Sequence, residues 1–320
     1  LIQLIEINTT NTIFKMNIFY LEWLSKRHSL CEFRDTVPPK YNFECQVKIK
    51  GCKEVFQEIT LYGLIGEELE DYKFEKSPFT KRTYLVSHLQ KCIRKMKHDK
   101  SVKTAKHLID LDMSTFLRRL PIIMFEDVVP HSSLPVLIWL MIAVTKGFKM
   151  KTIMIQYLLG IVYFLSSCAK HDEYSFSETI DLTKIQDNLF LKSILIRRSY
   201  GGMKGDMQML NYFIEMWQER FNRDIKMRDD KIQYINHKID RLKVEEWYLQ
   251  ANDFHCNHTL IPNVKKHFDL YSSEYIKSLI WNYSSSYNQR ITSHYNEDEW
   301  KDWLIIKKFV RYQQKTMDFI

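Results

Sequence analysis

The stretch FLRRLPIIMFEDVVPHSSLPVLIWLMIAV, residues 116–144, decides the fold. Its first half sets two adjacent arginines and an acidic pair around an apolar run, and its second half is apolar almost throughout. Phe116, Leu117, Leu120, Ile123 and Met124 recur at helical spacing. Ser114 is placed to cap that helix, because its hydroxyl oxygen accepts from free N–H groups of a first turn. Pro121 removes one backbone hydrogen bond and predicts a kink or a late first turn. A second apolar run, Leu134 to Thr145, is followed by a third, Ile153 to Ala169. Gly147 among Lys146, Lys149 and Lys151 separates them and reads as a helix stop and short turn. Crossing ~30 Å of hydrocarbon takes about 20 residues, more than Leu134 to Thr145 supplies. The third run carries Gln156 and ends in Ser166, Ser167 and Cys168. Helices apolar on all sides form the buried centre of a larger helical domain. The expectation is a mainly α protein, a multi-helix bundle with no membrane span.

Working outward, the period changes. In FECQVKIK, Phe43, Cys45, Val47 and Ile49 alternate with Glu44, Gln46, Lys48 and Lys50. After GCK, Val55, Ile59 and Leu61 continue the alternation, which predicts a β-hairpin over residues 43–61. The polar stretch GEELEDYKFEKSPF, ending near Pro78, suggests a boundary. From Thr83 a helical stripe of Leu85, Leu89, Cys92, Ile93 and Met96 appears, with Lys91, Arg94, Lys95 and His98 gathered as a basic face. Asp99 starts the next helix, with Val102, Ala105, Leu108 and Ile109 inward. Beyond SYGGMKGD, Asp206 is placed to cap a helix burying Leu210, Phe213, Ile214, Trp217 and Phe221. Ile232, Ile235, Ile239 and Leu242 follow at near-heptad spacing, too few positions for a coiled coil. Helices are expected from Ser273 to Tyr283 and from Glu297 to about Gln313.

The chain has 320 residues, 45% hydrophobic, with only 8 Gly and 7 Pro, a composition that excludes long disordered linkers. Residues 1–15 lack a starting Met and read as an upstream extension, with the natural chain beginning at Met16. The organisation expected is an N-terminal region over 16–80 holding the hairpin, a helical domain over 81–200 and a C-terminal helical region over 201–320. Six scattered cysteines without a C-x-x-C pair fit reduced thiols in the cytoplasm or nucleus. Lys and Arg outnumber Asp and Glu by 47 to 39, a formal net charge of +8, which favours a polyanionic partner.

Arg118, Arg119, Glu126 and Asp127 lie seven to nine positions apart. On one helix that is a rise of about 10 Å, so their partners are expected on neighbouring helices, as a structural polar network. Two acids late in a helix oppose its macrodipole, a sign that something else holds them. Adjacent residues on a helix diverge by about 100°, which is wrong for a catalytic carboxylate pair.

The order LVSHLQKCIRKM, an acid-led helix with Ala105, then FLRRLPIIMFEDV resembles the helical domain that follows the ATPase module in MgsA/RarA-type AAA+ proteins. These are replication-associated relatives of the clamp loaders. The matching positions are His88, Lys91, Ile93 and Arg94, then Arg118, Arg119, Leu120, Glu126 and Asp127, within residues 83–145. The resemblance implies a shared helical collar, self-association and a replication or repair setting. It implies no ATP hydrolysis, since no G-x-x-x-x-G-K-[ST] occurs and the roughly 80 preceding residues cannot hold an ATPase module.

Three further constellations carry chemistry. IRRSYGGMKGD sets Arg197, Arg198 and Lys204 around Gly201, Gly202 and Gly205, a loop whose N–H groups suit phosphate. The C-terminal third interleaves aromatics with Arg290, Lys307, Lys308, Arg311 and Lys315, a composition suited to single-stranded nucleic acid. Asp253, Phe254, His255, Cys256, Asn257 and His258 form a compact His/Cys stretch, the alternative centre for an enzyme or metal module, although the second ligand pair of a zinc site is missing. The leading expectation is a non-catalytic, nucleic-acid-associated scaffold without cofactors. Its phosphate contacts are Lys91, Arg94, Lys95, Arg197, Arg198, Lys204, Arg290, Lys307, Lys308 and Arg311. The third reading is a purely structural assembly protein with the Arg118/Arg119 network at a subunit interface.

Overall fold

In the computed structural model the described residues are 17–50, 58–182, 185–240, 257–285, 287–291 and 296–317. Ile18–Ser25 (β1), His28–Arg34 (β2), Phe43–Lys48 (β3) and Glu58–Ile65 (β4) form one sheet in the order β2-β1-β4-β3. The expected hairpin is its β3–β4 half, with Cys45 opposite Leu61 and Val47 opposite Ile59. The other half is new: β2 pairs antiparallel with β1, and β1 pairs parallel with β4. The N-terminal region is therefore a four-stranded mixed sheet rather than a hairpin alone. Strand β1 hides from pattern reading because both its faces are apolar. Phe19, Leu21 and Trp23 join the main core, while Ile18 and Tyr20 cluster with Tyr62 on the opposite face.

The helical body comprises Arg82–Arg94 (α1), His98–Asp127 (α2), Leu134–Thr145 (α3), Thr152–Ser167 (α4), Leu189–Ser199 (α5) and Lys204–Asn222 (α6). Helix α2 is broken at Asp112 (φ −159°, ψ 87°), and Pro121 sits within its second segment without a non-helical backbone angle. Asp112 accepts from the Thr115 backbone N–H (2.9 Å) and hydroxyl (2.7 Å). The cap expected at Ser114 is thus Asp112, because the carboxylate reaches the free N–H of the new first turn. Most side chains of α3 and α4 are buried. Among the described residues no helix is long and apolar enough to cross a membrane. Trp139 of α3 anchors the sheet: its Nε1 donates to the Phe19 carbonyl (3.1 Å), and its ring fills the space that a Cβ at Gly63 would enter.

The main core runs from Phe19 to Ile232 without interruption, so the boundaries expected at 80/81 and 200/201 do not separate cores. Sheet and helices α1–α6 share one interior. A second core is built from Asn257–His267 (α7), Ser273–Ile280 (α8), a π-helical turn Trp281–Ser285 and Glu297–Met317 (α9). Leu260, Ile276, Leu279, Trp303 and Ile306 are at its centre. Between these modules, the spacing of Ile232, Ile235 and Ile239 is not helical. Residues 225–240 form an extended strap over α4, with the Ile235 N–H donating to the Gln156 carbonyl (3.0 Å).

Candidate functional site

The acidic pair at the end of α2 is the centre of a buried ion network. Arg94, one turn beyond Gln90 on α1, donates from Nε to Asp127 Oδ1 (2.5 Å) and from Nη2 to Glu126 Oε1 (3.0 Å). Gln90 donates to Asp127 Oδ2 (2.9 Å) and accepts from Arg119 Nη2 (2.6 Å). Arg119 also reaches Glu126 Oε2 (3.3 Å) and, on α6, Asp206 Oδ2 (3.0 Å). The network ties α1, α2 and α6 together. It also corrects the expectation that no pair forms within α2. Side chains on a helix lean toward its N-terminus, so Glu126 tilts back along two turns and the long arginine meets it. Asp206, expected as a cap, receives Arg119 instead, and α6 starts at Lys204 with no side-chain cap.

All four carboxylate oxygens of Glu126 and Asp127 accept hydrogen bonds from Arg94, Gln90 or Arg119. Burial and the adjacent Asp127 carboxylate push the Glu126 pKa up, against the pull of Arg94 and Arg119. Burial opposes the Arg94 charge, but Asp127 and Glu126 outweigh it and hold that pKa above its ordinary value. Together these guanidinium groups offset the unfavourable position of two acids at a helix C-terminus.

Several residues expected to face phosphate are turned inward. Lys91 is buried, and Arg94 belongs to the network. Arg197 is 3% exposed, donates to the Arg118 (2.8 Å) and Gly201 (3.0 Å) carbonyls, and is brought down to about 10 by burial and by Arg118. Arg118 in turn donates to the Tyr200 carbonyl (2.9 Å), so two arginines pin the glycine loop to α2. Gly201 sits at φ +70°, the left-handed turn that frees the chain to start α6. Of the contacts expected at 91–98 and 197–205, Lys95, Arg198 and Lys204 stay at least partly exposed, but Lys91, Arg94 and Arg197 are turned inward. These side chains lie beside unpaired helix-end carbonyls and buried acids, which bind a cation more firmly than water does.

Arg290 is the clearest case. Its Nε donates to the Cys168 carbonyl (2.6 Å), Nη1 to Ile93 (2.9 Å) and Nη2 to Leu165 (2.6 Å). The Gln289 N–H donates to the Arg94 carbonyl (3.1 Å), and Asn288 Nδ2 to that of Asp127 (3.0 Å). One short segment thus closes the C-terminal ends of α1, α2 and α4, where the carbonyl dipoles favour a cation. Nothing in the spacing of residues 287–291 signals this plug, because its partners lie far away in the chain.

The remaining contacts are more open. Lys95 and Arg198 are half-buried, Lys204 is exposed beside Glu178 (3.4 Å), Lys307 lies over the Trp300 ring, and Lys308 is exposed. The side chain of Arg311 and the stretch Asp253 to Cys256 lie outside the described residues, as do the side chains of Asn257 and His258. Among the described residues no group of three or more His, Cys, Asp or Glu is placed to hold a metal. No family model, curated protein or solved structure matches the chain.

Proposed function

We propose that the chain is a non-catalytic scaffold that associates with nucleic acid through exposed cations. One observation supports this reading above the others: the inner acids are matched by inner cations and do not draw on the cations at the surface. The buried network takes in Glu126, Asp127 and Asp206 against Arg94 and Arg119, and Lys106 is matched by Asp110. Arg118, Arg197 and Arg290 donate to carbonyls. Most of the formal +8 is thereby displayed to solvent, where it attracts a polyanion. The resemblance of residues 83–145 to the clamp-loader-type helical domain adds a replication or repair setting, with proteins of that machinery as partners, and self-association. The network that a subunit-interface reading would use is closed within one chain. The four described cysteines, none of them in a disulfide, suit a reducing compartment, cytoplasm or nucleus.

Phosphate contacts give weak sequence preference and affinity that falls steeply with salt. Labelled single- and double-stranded DNA, titrated with protein at rising salt, should show a strongly negative slope of log affinity against log salt. No retention of either probe at low ionic strength overturns the reading.

A further inference from the structure

Behind the C-terminal end of α6 lies a cleft of about 400 Å³ that the ion network does not reach. Its floor is apolar, made by Val129, Pro130 and Trp217, with half-exposed Ile225 as a wall. Its rim is cationic. Arg220 lies over the Trp217 ring, 4.8 Å from the centroid, and donates to both carboxylate oxygens of Asp172 (2.8 and 3.3 Å). The guanidinium is thereby held in place between an aromatic ring and a carboxylate. Arg228 is steadied likewise by Asp230, its carbon 5.4 Å from the Phe164 ring centroid. Lys170 and Lys226 are exposed at the rim and have no ion pair among the described residues. Four cations therefore face two carboxylates, and the cleft keeps a positive balance.

A flat, immobilised guanidinium is a stacking surface for a nucleobase, and flanking lysines are point-charge partners for phosphate. An apolar floor with a few fixed polar groups is the usual construction of a small-molecule site of this size. We propose that this cleft binds a nucleotide, with the base against Arg220 and Ile225 and the phosphate between Lys170 and Lys226. The proposal rests on the nucleic-acid reading above and deepens it, since it gives the scaffold a defined seat for one unit of a strand. The same chemistry would take a free mononucleotide.

The test compares the full chain with a Lys170→Glu/Lys226→Glu variant and with Lys40→Glu, exposed and outside the cleft, as the control. Two probes are used, a labelled oligothymidylate and a labelled adenosine monophosphate, and circular dichroism melting verifies the fold of each variant. The double variant should bind oligothymidylate at least about tenfold more weakly, with the salt slope reduced by roughly 0.7, for the one phosphate held between the two lysines. The control should change by less than about twofold on the same scale, as expected for one exposed lysine away from the cleft. If wild type binds the strand and the double variant binds it equally well, the cleft is overturned while the scaffold reading stands. Wild-type binding of the mononucleotide but not the strand, lost in the double variant, supports the cleft and overturns the scaffold reading. Binding of neither probe overturns both.

Discussion

His88 shows what one buried side chain does to the whole stability curve. It is fully buried, its Nδ1 lies 2.7 Å from the Thr104 hydroxyl, and burial, followed by Lys100, pushes its pKa down from 6.5 to about 3. The unfolded chain takes up the proton near the ordinary value and the folded chain only near the depressed one. Stability is therefore full above the ordinary pKa and is lost as pH falls through that window, with a slope approaching about 1.4 kcal/mol per unit. In urea titrations across this range, His88→Gln should flatten the slope relative to wild type. An unchanged slope would place the acid sensitivity elsewhere. The apolar stripe of Leu85, Leu89 and Cys92 was legible beforehand, but the burial of His88 within the same helix was not. Arg94 and Lys95, by contrast, are neighbours of like charge in the sequence, and only the carboxylates brought up by α2 separate a buried arginine from an outward lysine.

Apolar period is what made the elements readable, and where the period failed the reading failed. Helices α3 and α4 stood out because an all-round apolar run has few other soluble homes. Strand β1 did not, since a strand buried on both faces has no alternation. The strap over α4 was read at helical spacing because every third or fourth residue is isoleucine, yet it is extended. Its course is allowed by Gly160, where a Cβ would stand 1.8 Å from the Gln233 carbonyl oxygen. On propensity alone, replacing a mid-helix glycine by alanine favours the helix by about 1 kcal/mol. Here the clash dominates. Gly160→Val should cost about 1–3 kcal/mol through overpacking and should speed proteolytic cutting within residues 225–240. A variant as stable and as resistant as wild type would show that the strap does not depend on this approach.

Among the described residues, polar contacts tie the two hydrophobic cores together, and this shapes how the whole molecule should unfold. Arg290 closes the ends of α1 and α4 in the main body while belonging to the segment between α8 and α9. Arg290→Ala leaves those carbonyls without their cation, a loss of several charge-assisted bonds at about 1.5–3 kcal/mol each before water replaces part of them. Calorimetry of this variant should show the C-terminal module melting earlier and separately from the main body, because its core is small. A single transition at the wild-type temperature would mean that other contacts hold the modules together. Much of the helical plan, the β3–β4 pairing and the charge excess follow from the amino-acid order, since amphipathic period and composition are properties of neighbours along the chain. Which cations face water, where the mixed sheet closes and how the C-terminal module is tied down depend on groups distant in sequence. A charged side chain settles according to the helix ends and acids that packing brings beside it, and that company exists only after the chain has folded.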